Sequence, residues 1–149
     1  MTQENKNLLL KDLCSRLPYK VIVDYGYNAF DVHNGNYVKH GSECILNCYL
    51  LDVFNSPRQN EKGEYIKPYL RPLSSMTEEE SAELLNIISE WFDKELFYLT
   101  EEPFLEYALS KINYSISPLL FDWLNQHHVD YRGLIEKGLA IEAPEGMYK

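Results

Sequence analysis

Long apolar runs are missing from this chain: no stretch approaches the roughly 20 residues needed to span a bilayer. The opening, Met1-Thr-Gln-Glu-Asn-Lys-Asn, is polar and is followed by only three leucines, so a secretory signal peptide is not expected. Cysteine is scarce and odd in number, with Cys14, Cys44 and Cys48. Without a paired framework the thiols are expected to stay reduced, which fits a cytoplasmic location. Cys44 and Cys48 lack the C-x-x-C spacing of zinc ribbons and redox sites. On one strand they would stand roughly 13 Å apart, too far for a disulfide, and each is expected to be a small core residue. Signatures of common chemistry are absent as well. There is no Walker loop, no G-x-G-x-x-G, no G-x-S-x-G and no H-E-x-x-H, and nothing marks a serine as a nucleophile. No cofactor is therefore implied.

Basic charge is short in the second half. Through Ser75 there are nine Lys/Arg against eight Asp/Glu; from Met76 onward there are five against fifteen. That half carries nearly all of the formal net charge of −9. It would repel a phosphate backbone, so direct nucleic-acid binding is not expected. A basic protein is the partner its field would attract.

Tyrosine is abundant: twelve of 149 residues. Its apolar ring and polar tip suit half-buried shells and contact surfaces. The length fits one domain with a sizeable core. Gln3 to Arg16 reads as a helix with Leu10, Leu13, Cys14 and Leu17 on one face, stopped by Pro18. Lys20–Tyr25 reads as a strand closed by Gly26. Asn34-Gly35 between Phe30–His33 and Asn36–Lys39 predicts a hairpin with a type I′ turn.

Glu43 to Phe54 is strongly apolar without clean alternation, and predicts a central strand covered on both faces. A buried helix is the alternative, because periodicity does not separate the two. Ile66-Lys-Pro-Tyr-Leu-Arg-Pro72 predicts an extended strap over the core, anchored by Tyr69 and Leu70.

Thr77 and Glu80 form a capping box at the start of a helix that buries Leu84, Leu85, Ile88, Trp91 and Phe92. A second helix is expected from Thr100-Glu-Glu-Pro103. A third starts at Ser117-Pro118 and buries Leu120, Trp123 and Leu124. The whole predicts an α+β fold: a small antiparallel sheet from the first half, packed against an N-terminal helix and three or so C-terminal helices.

The candidate functional surface is Tyr69, Arg71, His127, His128, Asp130, Tyr131 and Arg132. His127 and Asp130, at i and i+3, could share a helix face and serve a metal-dependent hydrolase. Adjacent His127 and His128 point about 100° apart on a helix, a poor geometry for one ion. The histidines also suit the negative end of a helix dipole. Asp130 can cap a short turn, Gly133 or Gly138 can turn left-handed, and Arg132 can pair with a nearby carboxylate. His33 and His40 flank the hairpin turn and would need a third ligand to hold zinc.

Three segments carry a resemblance: Lys67-Pro-Tyr-Leu-Arg-Pro-Leu-Ser-Ser-Met-Thr-Glu-Glu-Glu80, Asp122-Trp-Leu-Asn-Gln-His-His-Val-Asp-Tyr-Arg-Gly-Leu-Ile, and Gly138-Leu-Ala-Ile-Glu-Ala-Pro-Glu-Gly-Met-Tyr148. With the Leu8–Pro18 helix they resemble a family of small uncharacterised proteins of gut anaerobic bacteria, of the kind encoded by prophages or mobile elements. The resemblance does not extend over Tyr19 to Lys62. It implies a lineage and an accessory role, not an activity. The expected function is a soluble interaction or regulatory protein without chemistry of its own. The alternatives are the hydrolase and an acidic mimic of nucleic acid.

Overall fold

Thr2 begins the first element: its hydroxyl accepts the Asn5 N–H at 3.2 Å and caps helix α1, Gln3–Arg16. The computed structural model describes residues 1–56, 65–89 and 118–148. The helix expected after Thr100, Trp91, Phe92 and the Ser117 cap lie outside them. The fold is α+β, with a four-stranded, mostly antiparallel sheet in the order β2-β1-β3-β4. The strands are β1 Ile22–Asp31, β2 Asn36–Ile45, β3 Tyr65–Leu70 and β4 Ile141–Glu142. The chain divides into two compact units. The first comprises Met1–Leu70 and Arg132–Lys149, the second Arg71–Tyr131. No helix of the described residues is long and apolar enough to cross a membrane.

In the first unit, α1 buries Leu9, Asp12, Leu13 and Arg16, while Cys14 is exposed. The inward face is thus shifted from the expected Leu10–Leu13–Cys14–Leu17 stripe: Leu10 and Leu17 only flank the core, and Asp12 and Arg16, joined at 2.8 Å, lie on the buried side. After Arg16 the chain continues through a 3-10 turn, Leu17–Tyr19, and reverses at Lys20 with φ 56°.

β1 and β2 pair without a break from Ile22↔Ile45 to Asp31↔Asn36. The strand therefore runs through Gly26 rather than ending there. A Cβ at Gly26 would fall inside the Tyr65 ring, which lies over it from the neighbouring strand. The hairpin is present, but its loop has four residues, Val32–Gly35, instead of a two-residue type I′ turn. Only Gly35 of the loop has positive φ, 66°, and its N–H donates to the Asp31 carbonyl at 2.9 Å.

The segment after β2 corrects the predicted central strand. Ile45 ends the strand, and Asn47 Oδ1 accepts the Leu50 N–H at 3.0 Å to cap helix α2, Cys48–Asn55. This helix buries Leu50 and Phe54, one turn apart. Cys48 sits in its first turn and is exposed, so it is not a core residue; Cys44, half-buried, packs on the core.

β3 corrects the predicted strap. It pairs antiparallel with β1 from Val23↔Pro68 to Gly26↔Tyr65, with Ile66, Pro68 and Leu70 buried. Leu46 N–H donates to the Val21 carbonyl. By alternation along the ladder, Val23 then turns its polar groups toward β2. Pro68 lies opposite Val23, where β1 offers nothing for a missing N–H to bind.

The next pair in that register would be Ile22 with Tyr69. There the Tyr148 hydroxyl intervenes, accepting the Ile22 N–H at 3.1 Å and donating to the Tyr69 carbonyl at 2.8 Å. Burial pushes the Tyr148 phenol up to about 12. β4 adds parallel to β3 through Tyr69↔Ile141 and Leu70↔Glu142. Gly133 and Gly138 both take left-handed φ, 64° and 67°, and turn the chain around Leu134, which joins Leu9, Leu13, Phe54 and Leu70 in the core.

The second unit contains helix α3, Glu78–Ser89, and helix α4, Pro118–Gln126. Its core is Leu84, Ile88, Leu120, Leu124 and Val129. The capping box is present: Glu80 N–H donates to Thr77 Oγ1 at 3.2 Å, and Thr77 N–H to Glu80 Oε2 at 2.9 Å. Trp123 is half-buried at the edge of this core rather than inside it. Its indole N–H reaches Glu83 at 3.2 Å, a polar tether that keeps the ring near the surface.

Candidate functional site

The residues expected to form one surface serve different tasks in the two units. In the second unit, Arg71 clamps Glu80 with two hydrogen bonds of 2.7 Å each and donates to the Ser75 carbonyl at 3.1 Å. Its backbone bridges to the far end of the unit, donating to the His128 carbonyl and accepting the Asp130 N–H, both at 2.8 Å. His128 has φ 55° and is buried, so it ends α4 as a left-handed turn residue. His127 stacks on Trp123 with ring centroids 3.8 Å apart, and its Nδ1 lies 2.9 Å from the Trp123 carbonyl oxygen. Asp130 is buried, and Tyr131 donates its hydroxyl to Asn125 Oδ1 at 3.1 Å. Among the described residues no group of three His, Cys, Asp or Glu is placed to hold a metal ion.

The Arg71 fork is what lowers the Glu80 carboxyl from its ordinary 4.5 to about 2, with help from the Thr77 N–H and the field of His127. A depressed carboxylate contributes stability that is fully present above 4.5 and is lost as pH falls from there toward 2. Glu80→Gln should therefore cost roughly 1–2 kcal/mol at neutral pH, and the gap from wild type should close across that window. Both tryptophans lie within the Arg71–Tyr131 span, so urea unfolding followed by tryptophan fluorescence between pH 7 and 2 reads this unit. A gap that stays constant with pH would rule the mechanism out.

In the first unit, Arg132 reaches Asp12 on α1 at 2.7 Å. The expectation that it pairs with a carboxylate holds, though the carboxylate comes from the first half of the chain. Tyr69 donates its hydroxyl to Glu43 at 2.8 Å, and that bond more than burial pushes its phenol up to about 12. It belongs to a polar group on the outer face of the sheet. There Tyr65 donates to Asp24 at 3.0 Å, and Lys39 lies 4.5 Å from the centre of the Tyr65 ring.

The feature that sequence reasoning passed over is the outer part of the hairpin. Pairing of β1 with β3 stops at Gly26↔Tyr65. Beyond it, among the described residues, Tyr27–Asp31 pair only with Asn36–His40. This arm exposes Tyr27, Phe30, Val32, Tyr37 and Val38, with Val32 and Tyr37 more than 70% accessible. Apolar residues occupy both faces. Tyr27 stacks on His40 with centroids 5.4 Å apart on the side continuous with the core, and Phe30 meets Tyr37 edge-on at 5.4 Å on the other. The tip is fixed by Asp31, whose carboxylate accepts the His33 N–H at 2.8 Å and the Asn34 amide at 2.6 Å. The His33 bond chiefly holds its carboxyl below the usual range. The signal was legible: Tyr27, Phe30, Tyr37 and Val38 bracket the Asn-Gly turn at positions of both parities, which no one-sided hairpin needs. Comparison with family models, curated proteins and solved structures returned no match.

Proposed function

We propose that the chain is a protein-binding module whose contact element is the Tyr27–His40 arm and whose partner presents a basic surface. The observation that carries this reading is the exposed aromatic and aliphatic set on both faces of a hairpin with a fixed tip. Aromatic side chains supply large contact area at low entropic cost, and they are enriched where proteins meet. A tip already held by Asp31 has less freedom to lose on binding. The arm itself carries one Asp and one Lys, Asp31 and Lys39, so it contributes no net charge. The negative charge elsewhere would then steer a basic partner from a distance while the arm makes the contact.

Capture from native lysate tests this with the wild-type chain and a Phe30→Asp/Val32→Asp variant, at low and moderate salt. A protein retained by wild type, lost by the variant and recovered less well as salt rises is the expected result, because exposed charges are screened over a Debye length of about 8–10 Å. Equal recovery by both chains would reject the arm, and directly bound nucleic acid would reject the class of partner. Unchanged far-ultraviolet circular dichroism shows that the variant has kept its fold.

A further inference from the structure

Strand β2 closes one side of the sheet, and among the described residues no strand lies beyond it. It is ten residues long, pairs with β1 without a bulge, contains no proline, and is exposed at every residue except Cys44. Sheets guard such an edge by shortening, bulging, covering or charging it, and of these devices β2 has only the charges of Lys39 and Glu43. The alternation set by the Leu46–Val21 bond turns the backbone groups of the even-numbered residues of β2 toward β1. Those of Tyr37, Lys39, Gly41, Glu43 and Ile45 consequently face outward.

The charges on the outer face stop short in the same place. Lys67 stands opposite Asp24, and Asp24 opposite Glu43. Read across the sheet, the row is positive, negative, negative, and it ends at the edge. Like charges directly opposite are unfavourable, and a cation on the far side of Glu43 would offset them.

We propose that β2 pairs antiparallel with β2 of a second copy of this chain, about a two-fold axis at Gly41. The inference goes beyond the basic-partner reading: it adds a contact between two copies of an acidic chain, held by strand pairing and by matched charges at the edge rather than by the long-range field. In this register Gly41 meets Gly41 of the second copy, Lys39 meets Glu43 twice, and Tyr37 meets Ile45 twice. Every one of these pairs uses the outward backbone groups. On the other face Val38 meets Cys44. The choice of axis follows from the sequence of the strand. An axis at Lys39 would set two lysines face to face, and one at Glu43 two glutamates. An axis at His40 leaves Lys39 opposite Gly41, and one at Ser42 leaves it opposite Ile45. Of the five central positions only Gly41 matches the charges, and it also pairs nearly the whole strand. Tyr37, already against Phe30, is then covered by Ile45, which is half exposed in the single chain.

Sedimentation of the purified chain over a concentration series, with charge variants and a cross-link, tests the arrangement. Wild type should dimerise reversibly. Lys39→Glu and Glu43→Lys should each weaken the dimer roughly ten-fold or more, since every change acts twice across the axis. The double exchange Lys39→Glu/Glu43→Lys should bring affinity back to near that of wild type.

Gly41→Cys meets only ordinary contacts at its Cβ. Hydrogen-bonded strand partners have Cα atoms about 5.5 Å apart, within disulfide reach. In a background with the exposed Cys14 and Cys48 changed to serine, Gly41→Cys should oxidise to a covalent dimer through residue 41. Ser42→Cys should not, because it lies on the diagonal at roughly 7–8 Å. A wild-type chain that stays monomeric to its solubility limit overturns the proposal. So does a double exchange no better than the single ones, or a Ser42→Cys chain that cross-links as well as Gly41→Cys. These measurements use the purified chain alone, so their failure leaves the lysate experiment on Phe30 and Val32 to judge the wider reading separately.

Discussion

Replacing Asp12 with alanine should cost about 3–5 kcal/mol and lower the melting temperature by on the order of 10 °C in a chain of this size. Asp12 is fully buried on α1 and holds two guanidinium groups at once. Oδ2 takes the buried Arg16 Nε at 2.8 Å, and Oδ1 takes Arg132 Nη1 at 2.7 Å. Arg132 reaches on to Ser15 Oγ at 3.4 Å. Removing a surface carboxylate usually changes little. Removing the shared anion of a buried group is different, because two cations then face each other in a medium that screens poorly. Arg132→Ala should cost less, about 1–3 kcal/mol, since that side chain is 14% accessible and Asp12 keeps Arg16. Urea titration followed by far-ultraviolet circular dichroism measures both. A loss below about 1 kcal/mol for Asp12→Ala, the range of ordinary surface changes, would show that the group does not hold α1 to the C-terminal turns.

Phe54→Ala should cost a similar amount, about 3–5 kcal/mol. The ring is 1% accessible in the core of the first unit, with Lys6 Nζ 5.7 Å from its centre. The result also bears on secondary structure. In a strand, alternation would bury Asp52 along with Leu50 and Phe54. In helix α2, Asp52 faces solvent, as it does here. Asp52→Ala should therefore change stability by less than about 0.5 kcal/mol, while Asn47→Ala, which removes the cap, should cost about 1 kcal/mol. Equal losses at Asp52 and Phe54 would favour the strand.

Local chemistry made much of the fold legible. The limits of α1, the Thr77–Glu80 box, the hairpin and the left-handed glycines after Asp130 all depend on residues within a few positions of one another. What escaped depended on distant partners. Apolar periodicity does not place Asp12 and Arg16 inward, because the carboxylate is shared with a residue 120 positions away. The strand at Tyr65–Leu70 was hidden by Pro68, whose missing N–H is harmless only at the ladder position that β1 assigns it. The Asn47 cap was a local signal, but it lay inside an apolar run that suggested a strand. The candidate surface dispersed for the same reason. Arg71, His127, His128, Asp130 and Tyr131 are neighbours in the second unit, while Tyr69 and Arg132 are engaged in the first by Glu43 and Asp12.

The backbone bridge between Arg71 and Val129 has a consequence for how the chain is assembled. In sequence, the second unit is an insertion that interrupts the first. Joining Leu70 to Arg132 through a flexible loop of that length would carry a closure entropy of several kcal/mol, growing as the logarithm of the loop. The bridge fastens the two ends of the insertion side by side. Once the second unit has formed on its own core, the interrupted chain behaves as though its halves were joined by a short turn. The Ile22–Tyr148–Tyr69 relay can then close, although Ile22 and Tyr148 are 126 residues apart. Inserts with adjacent ends are the kind a host fold tolerates, and changes in length within this one should leave the first unit largely untouched as long as that fastening holds.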